Sequence, residues 1–270
     1  MVINTNISAL QAWRNLQNTD TALNKSLERL STGLRINRAA DDAAGLTVSE
    51  KMKAQINGLN QAVRNAQDGI SLLQTAEGGL SEIQSLLQRQ RELAVQAASD
   101  TLSTDDRSNL DLEFKQLSAQ IDEIAKDTQF NTKAVLFSDA TYTLQVGANT
   151  GQILEVSLKK SDTTSLSIDT ASIGDITAAS AAIASLDDAI KEVSKRRADI
   201  GAKQNRLEHI ITNLQVQSEN MAAANSRIRD VDMAAEMMNF TKQQILMQAG
   251  TAMLQQANAN PQMVLKLLQG

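Results

Sequence analysis

Few residues in this 270-residue chain are suited to catalysis: one histidine, His209, no cysteine, and acidic pairs such as Asp41-Asp42, Asp105-Asp106 and Asp187-Asp188. A Ser–His–Asp arrangement needs an imidazole beside its nucleophile, and only His209 can supply one. It sits in the charged run Asn205-Arg206-Leu207-Glu208-His209, which reads as a solvated helix face. One histidine without cysteine cannot build a Cys/His zinc site, so no metal or cofactor ligand set is assigned. The carboxylate pairs could be given acid–base roles, yet no pocket signal accompanies them. Helix caps and solvated faces account for them better, which makes an enzyme the weakest reading.

The bulk of the chain is built for packing instead. Aromatic residues make up 2% of it, there is one proline, Pro261, and Ala, Leu and Gln are the commonest residues. A compact globular core of this size draws on more large rings; this is the composition of long helices laid side by side. The length allows one or two domains. A net charge of −5 without any run of Lys or Arg argues against a nucleic-acid partner. Met1-Val2-Ile3-Asn4-Thr5-Asn6 lacks the basic start and apolar run of a secretory signal. No stretch reaches the roughly 18 apolar residues of a membrane span. Membrane insertion is not expected, and any export would use a route that does not read such a signal.

Ile3, Ile7, Leu10, Leu16, Leu23, Leu27, Leu30 and Leu34 recur mostly at spacings of three, four or seven, a helix stripe of the coiled-coil kind. Ser31-Thr32-Gly33 interrupts it, and Ile36 to Gly45 reads as an irregular connector. A long helix is predicted from about Leu46 to Ser99, with Gly58, Gly69 and Gly78-Gly79 as candidate bends, and a third from about Asp105 to Asp127. Tyr142, Leu144 and Val146 then alternate with polar residues, as do Leu154, Val156 and Leu158 beyond the turn Gly147-Ala148-Asn149-Thr150-Gly151. That is a β-hairpin. The Ser/Thr-rich stretch from Ser161 to Thr177 reads as short strands and loops. Helix resumes near Ala178, runs to about Arg229, and a terminal helix follows from about Val231. The expected fold is mainly α, a long antiparallel helical bundle or coiled coil with a small mid-chain β-hairpin region.

The two ends share an unusual poverty of charge. From Met1 to Leu27 the only ionisable side chains are Arg14, Asp20 and Lys25; from Val231 to Gly270 they are Asp232, Glu236, Lys242 and Lys266. A water-facing helix carries charge on its outer side, so the outer sides here are expected to be covered by other copies of the protein. A lone helix cannot bury its stripe, and pairing the two ends covers one face of each. Both ends are therefore expected to be disordered in the free subunit and to become helical on assembly. Six of the nine methionines, Met233, Met237, Met238, Met247, Met253 and Met263, lie in the C-terminal segment. Methionine fills irregular gaps and tolerates small shifts in packing, while the glutamines there can bond between helices without burying charge.

These residues fall into long motifs. Ser31-Thr32-Gly33-Leu34-Arg35-Ile36-Asn37-Arg38-Ala39-Ala40-Asp41-Asp42-Ala43-Ala44-Gly45, Gln67-Asp68-Gly69-Ile70-Ser71 and Glu92-Leu93-Ala94-Val95-Gln96 closely resemble the N-terminal half of bacterial flagellin. Asn225-Ser226-Arg227-Ile228-Arg229-Asp230-Val231-Asp232, Gln255-Gln256-Ala257-Asn258 and Pro261-Gln262-Met263-Val264-Leu265 resemble its C-terminal half. The resemblance implies a secreted, extracellular flagellar subunit that forms a helical homopolymer for swimming. Residues 1–43 with 231–270 would form the coiled-coil filament core, and 44–230 a rod domain with a β tip at about 134–177. Core packing would then use Ile3, Ile7, Leu10, Leu23, Leu27, Leu30 and Leu34 with Met237, Met238, Ile245, Leu246, Met253, Leu254, Val264, Leu265 and Leu268. The implied partners are an export chaperone on the C-terminal segment, the filament cap and hook-junction proteins, and a host Toll-like innate immune receptor. That receptor would contact Gln88, Arg89, Leu93, Gln96 and Glu113; Arg89, Leu93 and Gln96 are spaced to share a helix face. The rival readings are a hook–filament junction protein of the same flagellum and an intracellular coiled-coil scaffold.

Overall fold

The computed structural model describes residues 6–269, with side chains up to residue 259. Helix α1 (Ile7–Thr32) starts where the Asn6 side chain accepts the Ala9 N–H and ends at Gly33, whose left-handed φ of 71° lets its N–H reach the Arg29 carbonyl. A connector leads to α2 (Ala43–Ala97). Helix α3 (Thr104–Asp127) opens with a capping box in which Ser103 and Asp106 satisfy each other's backbone N–H groups. Two small hairpins follow: β1 (Gln129–Phe130) with β2 (Lys133–Ala134), and β3 (Ala140–Gln145) with β4 (Ile153–Leu158). Helices α4 (Ile176–Arg229) and α5 (Met233–Gln269) complete the chain. The mainly helical fold with a mid-chain hairpin is as the periodicities predict.

The chain divides into two compact units, Met1–Ala54 with Asn220–Gly270, and Gln55–Glu219. In the first, α1 and α5 run antiparallel: Asn6 Nδ2 donates to the Ala257 carbonyl at 2.8 Å, and Arg29 faces Glu236 at 3.7 Å. Where the strands of chain enter and leave the pair, Leu34 and Asp230 form an antiparallel bridge, flanked by Arg35 N–H to Arg229 and Val231 N–H to Gly33.

In the second unit α2 and α4 also run antiparallel, as the partners Asn60–Ser218, Gln84–Arg197 and Arg91–Asp187 show. Leu73, Leu80, Ile83 and Leu87 of α2 meet Phe114 and Ile121 of α3 and Leu186, Val193, Ile200 and Leu207 of α4 in one core. The β3–β4 hairpin lays Leu154, Val156 and Leu158 into that core, with Tyr142 opposite Val156 and Leu144 opposite Leu154. Two of the four glycines expected to bend α2 do something else. The helix is unbroken, and a Cβ on Gly69 would stand 2.4 Å from Leu144 Cδ1, one on Gly79 2.7 Å from Leu136 Cδ1. They are small so that the β segment can seat directly on the helix backbone.

The Ser/Thr-rich stretch departs from expectation as well: 161–175 forms turns without strands, and the β1–β2 hairpin stands where none was foreseen. Carboxylates of α3 replace the missing ladder. Asp122 accepts the Thr163 N–H and hydroxyl at 2.8 and 2.9 Å, and Asp111 accepts the Ser172 hydroxyl and the buried Ile173 N–H at 3.0 and 2.9 Å. Leu166, Ile168 and Ile173 are buried between these clamps. Burial pushes the Asp111 carboxyl up, but Lys115, the Ile173 N–H and the Ser172 hydroxyl together hold it below the usual carboxylate value. Its folded pKa is thus depressed, so its stabilisation is complete above the unfolded value and is lost as pH falls through the folded one. Asp111→Asn is expected to flatten the loss of thermal stability below about pH 4. Asp111→Ala, which orphans the Ile173 N–H, is expected to cost roughly 1–3 kcal/mol at neutral pH; calorimetry across pH 3–7, on the order of the carboxylate range and above, reads both.

Candidate assembly surface

The residue types suited to catalysis serve structure or face solvent. His209 is exposed on α4. Asp42 accepts the Gly45 N–H at the start of α2, and Asp41 accepts the Asn37 and Arg38 N–H groups in the connector. Hydrogen bonds from the Ser103 side chain and backbone hold the Asp106 carboxyl below its ordinary range. The same holds for Asp187 through its bond to Arg91, while Asp188 pairs with Lys191. Among the described residues no three His, Cys, Asp or Glu side chains converge as metal ligands, and no helix is long and apolar enough to cross a membrane.

The informative surface belongs to the α1–α5 pair. Helix α1 presents Leu16, Leu23, Ser26 and Leu30 as its covered side, and α5 presents Glu236, Phe240, Met247, Gly250 and Leu254. Gly250 brings the helices close: a Cβ there would lie 3.1 Å from Leu16 Cδ1. The seam holds only part of the apolar content. Of the sixteen large hydrophobic side chains exposed among the described residues, four (Ile7, Leu10, Trp13, Leu27) are on α1 and six (Met233, Met237, Met238, Ile245, Leu246, Met253) on α5. Ile7, Met238 and Met253 each exceed 60% exposure. This much exposed apolar side chain on a charge-poor helix pair marks a protein contact surface. Grooves run along both sides of the pair, one floored by Trp13, Leu16 and Met247, the other by Leu16, Leu246, Gly250 and Met253.

The predicted core-packing residues therefore fall into two groups. Leu23, Leu30, Leu34 and Leu254 are half-buried within the chain, whereas Ile7, Leu10, Leu27, Met237, Met238, Ile245, Leu246 and Met253 point outward. Ile3, and the side chains of Val264, Leu265 and Leu268, lie outside the described residues. Sequence reasoning missed Trp13, which sits three residues from both Leu10 and Leu16 and so carried the helical signal. It also missed the Arg29–Glu236 pair, whose Glu236 is 7% exposed; nothing local marks a pairing across two hundred residues.

A second surface lies on α2 and α3. Arg89 bridges Glu113 at 2.9 Å and Glu92 at 3.2 Å, and its hydrogen bond to Glu113 raises its already high pKa. Gln88, Arg89, Gln96 and Glu113 are exposed, but Leu93 is 1% exposed and packs in the core. The shared face expected of Arg89, Leu93 and Gln96 needs correcting on this point. At about 100° per residue the three span roughly 60° of the helix surface, and the edge of the buried stripe formed by Ile83, Leu87, Gln90, Ala94 and Ala97 runs between them.

Two packed units, one a helix pair with an uncovered apolar face, define a polymerising helical subunit rather than a self-sufficient globule. Residues 3–143 match the bacterial flagellin N-terminal helical region and 183–268 the bacterial flagellin C-terminal helical region. The chain is 54% identical to a flagellin of Halalkalibacterium halodurans over 99% of its own length and 100% of the relative's. It is 47% identical, over 99% and 100%, to the flagellar filament 33 kDa core protein of Treponema phagedenis. The crystal structure of Bacillus cereus flagellin, 36% identical, superposes with a TM-score of 0.52 over 60% of this chain and 94% of that one. The chain belongs to the bacterial flagellin family, a family of structural proteins.

Proposed function

We infer that this protein is the structural subunit of a bacterial flagellar filament, the polymer that drives swimming. The observation that carries the reading is the outward apolar face of α1 and α5, which one chain cannot cover. Burying it takes neighbours, and a repeated contact between identical copies that does not close gives a helical thread. Residues 1–43 with 231–270 serve as the filament core and 44–230 as the surrounding rod, with the β tip at about 134–177. In the free subunit this apolar face is open to water, and it is covered as copies pack. The chain catalyses no reaction. It leaves the cell as unfolded chain, escorted by an export chaperone on its C-terminal segment, and adds between the hook-junction proteins and the filament cap. Mixing purified subunits with short filament seeds tests the central claim. Electron microscopy should show seeds lengthening in proportion to added subunit; seeds of unchanged length would refute it.

The α2–α3 surface supports a second role, recognition of the unassembled chain by a host Toll-like receptor. Gln88, Arg89, Gln96 and Glu113 offer polar contacts around the Arg89–Glu113 pair, while buried Leu93 holds their spacing from beneath. Hot-spot arginines at such surfaces are worth upward of about 2 kcal/mol. Arg89→Ala with Glu113→Ala is therefore expected to lower receptor activation by a factor of roughly thirty or more in a reporter-cell assay. Undiminished signalling from the double variant would exclude this surface.

A further inference from the structure

We propose that α5 is a site of methionine sulfoxidation in the unassembled subunit, and that this modification blocks its addition to a filament. The proposal rests on the filament reading above. Met233, Met237, Met238 and Met253 are 49%, 49%, 69% and 65% exposed, whereas Met52, Met221 and Met247 are half-buried. The exposed four lie on the face that has no cover within the chain. Met237 and Met238 line one shallow groove with Thr241, Lys242, Ile245 and Leu246, and Met253 borders the groove alongside α1.

A thioether in water is open to two-electron oxidants. With a hydroperoxide, a sulfur lone pair attacks the outer peroxide oxygen and an S–O bond forms as the O–O bond breaks. The hydroperoxide proton ends on the leaving oxygen, giving an alcohol, or water from hydrogen peroxide. Sulfur is oxidised by two electrons and the peroxide is reduced by two. The product carries a polar S–O group that accepts hydrogen bonds, and burying it against a neighbour's apolar side chains leaves that group without a partner. Packing that relied on a soft, adaptable thioether is lost. Once subunits are stacked, the same sulfurs are covered and oxidation slows. Sensitivity therefore belongs to the travelling subunit and not to the finished thread.

The test exposes free subunits and finished filaments to hydrogen peroxide, maps the added oxygen by peptide mass spectrometry, and then measures seeded elongation. Met233, Met237, Met238 and Met253 should oxidise before Met52 and Met221 in the free chain, and slowly in filaments. Oxidised subunits should elongate at least about tenfold more slowly, the factor that 1.4 kcal/mol of lost contact produces. A methionine sulfoxide reductase should restore the rate. A variant with leucine at all four positions, close to the original in volume, should elongate normally after peroxide. Should that variant fail to assemble, the reductase rescue of the unaltered protein still decides. Equal oxidation of all methionines in the free chain, or full-speed elongation by oxidised subunits, would overturn the proposal. Failure of untreated subunits to elongate would instead count against the filament reading itself.

Discussion

Removal of residues 1–32 is expected to abolish elongation while leaving the Gln55–Glu219 unit folded. The core of that unit draws on α2, α3, α4 and the hairpin and uses nothing from α1. The deletion takes away Ile7, Leu10, Trp13 and Leu27 from the outer face, and it also strips α5 of the helix that covers Phe240, Met247 and Leu254. Fully burying one such side chain contributes roughly 1.5–3 kcal/mol, and about 2.7 kcal/mol of lost contact per added subunit is already a hundredfold in affinity. Elongation should fall beyond detection, with the main thermal transition retained. Seeded growth followed by light scattering, beside calorimetry of the trimmed chain, reads both halves. A trimmed chain that grew threads at the normal rate would show that the apolar face is not the polymer contact.

The largest stability effect is expected at Phe114, the one fully buried aromatic side chain among the largest in the core. Its backbone is tied to α2 as well: Gln90 Nε2 donates to the Phe114 carbonyl at 3.1 Å and to the Ser118 hydroxyl at 2.7 Å. Phe114→Ala leaves a cavity in the core shared by α2, α3 and α4, at a cost of about 3–5 kcal/mol. For a domain of this size that lowers Tm by roughly 10 °C. Leu112→Ala, two residues away but 61% exposed, should move Tm little. Equal shifts for the two would mean that the core is not where the burial pattern puts it.

Helix periodicity foretold the five helices and their order, because apolar spacing near 3.6 is a property of consecutive residues. Alternation on both sides of Gly147–Gly151 foretold the β3–β4 hairpin for the same reason, and the burial pattern of β4 follows it residue by residue. What failed was non-local. The turns at 161–175 depend on Asp111 and Asp122, forty and more residues earlier in the chain. Gly69 and Gly79 looked like bends until Leu144 and Leu136 occupied the space a side chain would need. Leu93 looked like a surface residue because spacing places it near Arg89 and Gln96, and only the position of α3 decides on which side of the line it falls.

The amino-acid order by itself determined that this is a helical assembly subunit: two distant, charge-poor stripes and a family motif in each half were enough, since both are written in local order. Which side of each stripe is spent inside the chain was decided only in three dimensions. Leu16 against Gly250 and Arg29 against Glu236 set the α1–α5 register, and that register turns Ile7, Leu10, Trp13 and the α5 methionines outward. A stripe records how much apolar surface a helix carries; the partner's position fixes how much remains for a neighbour.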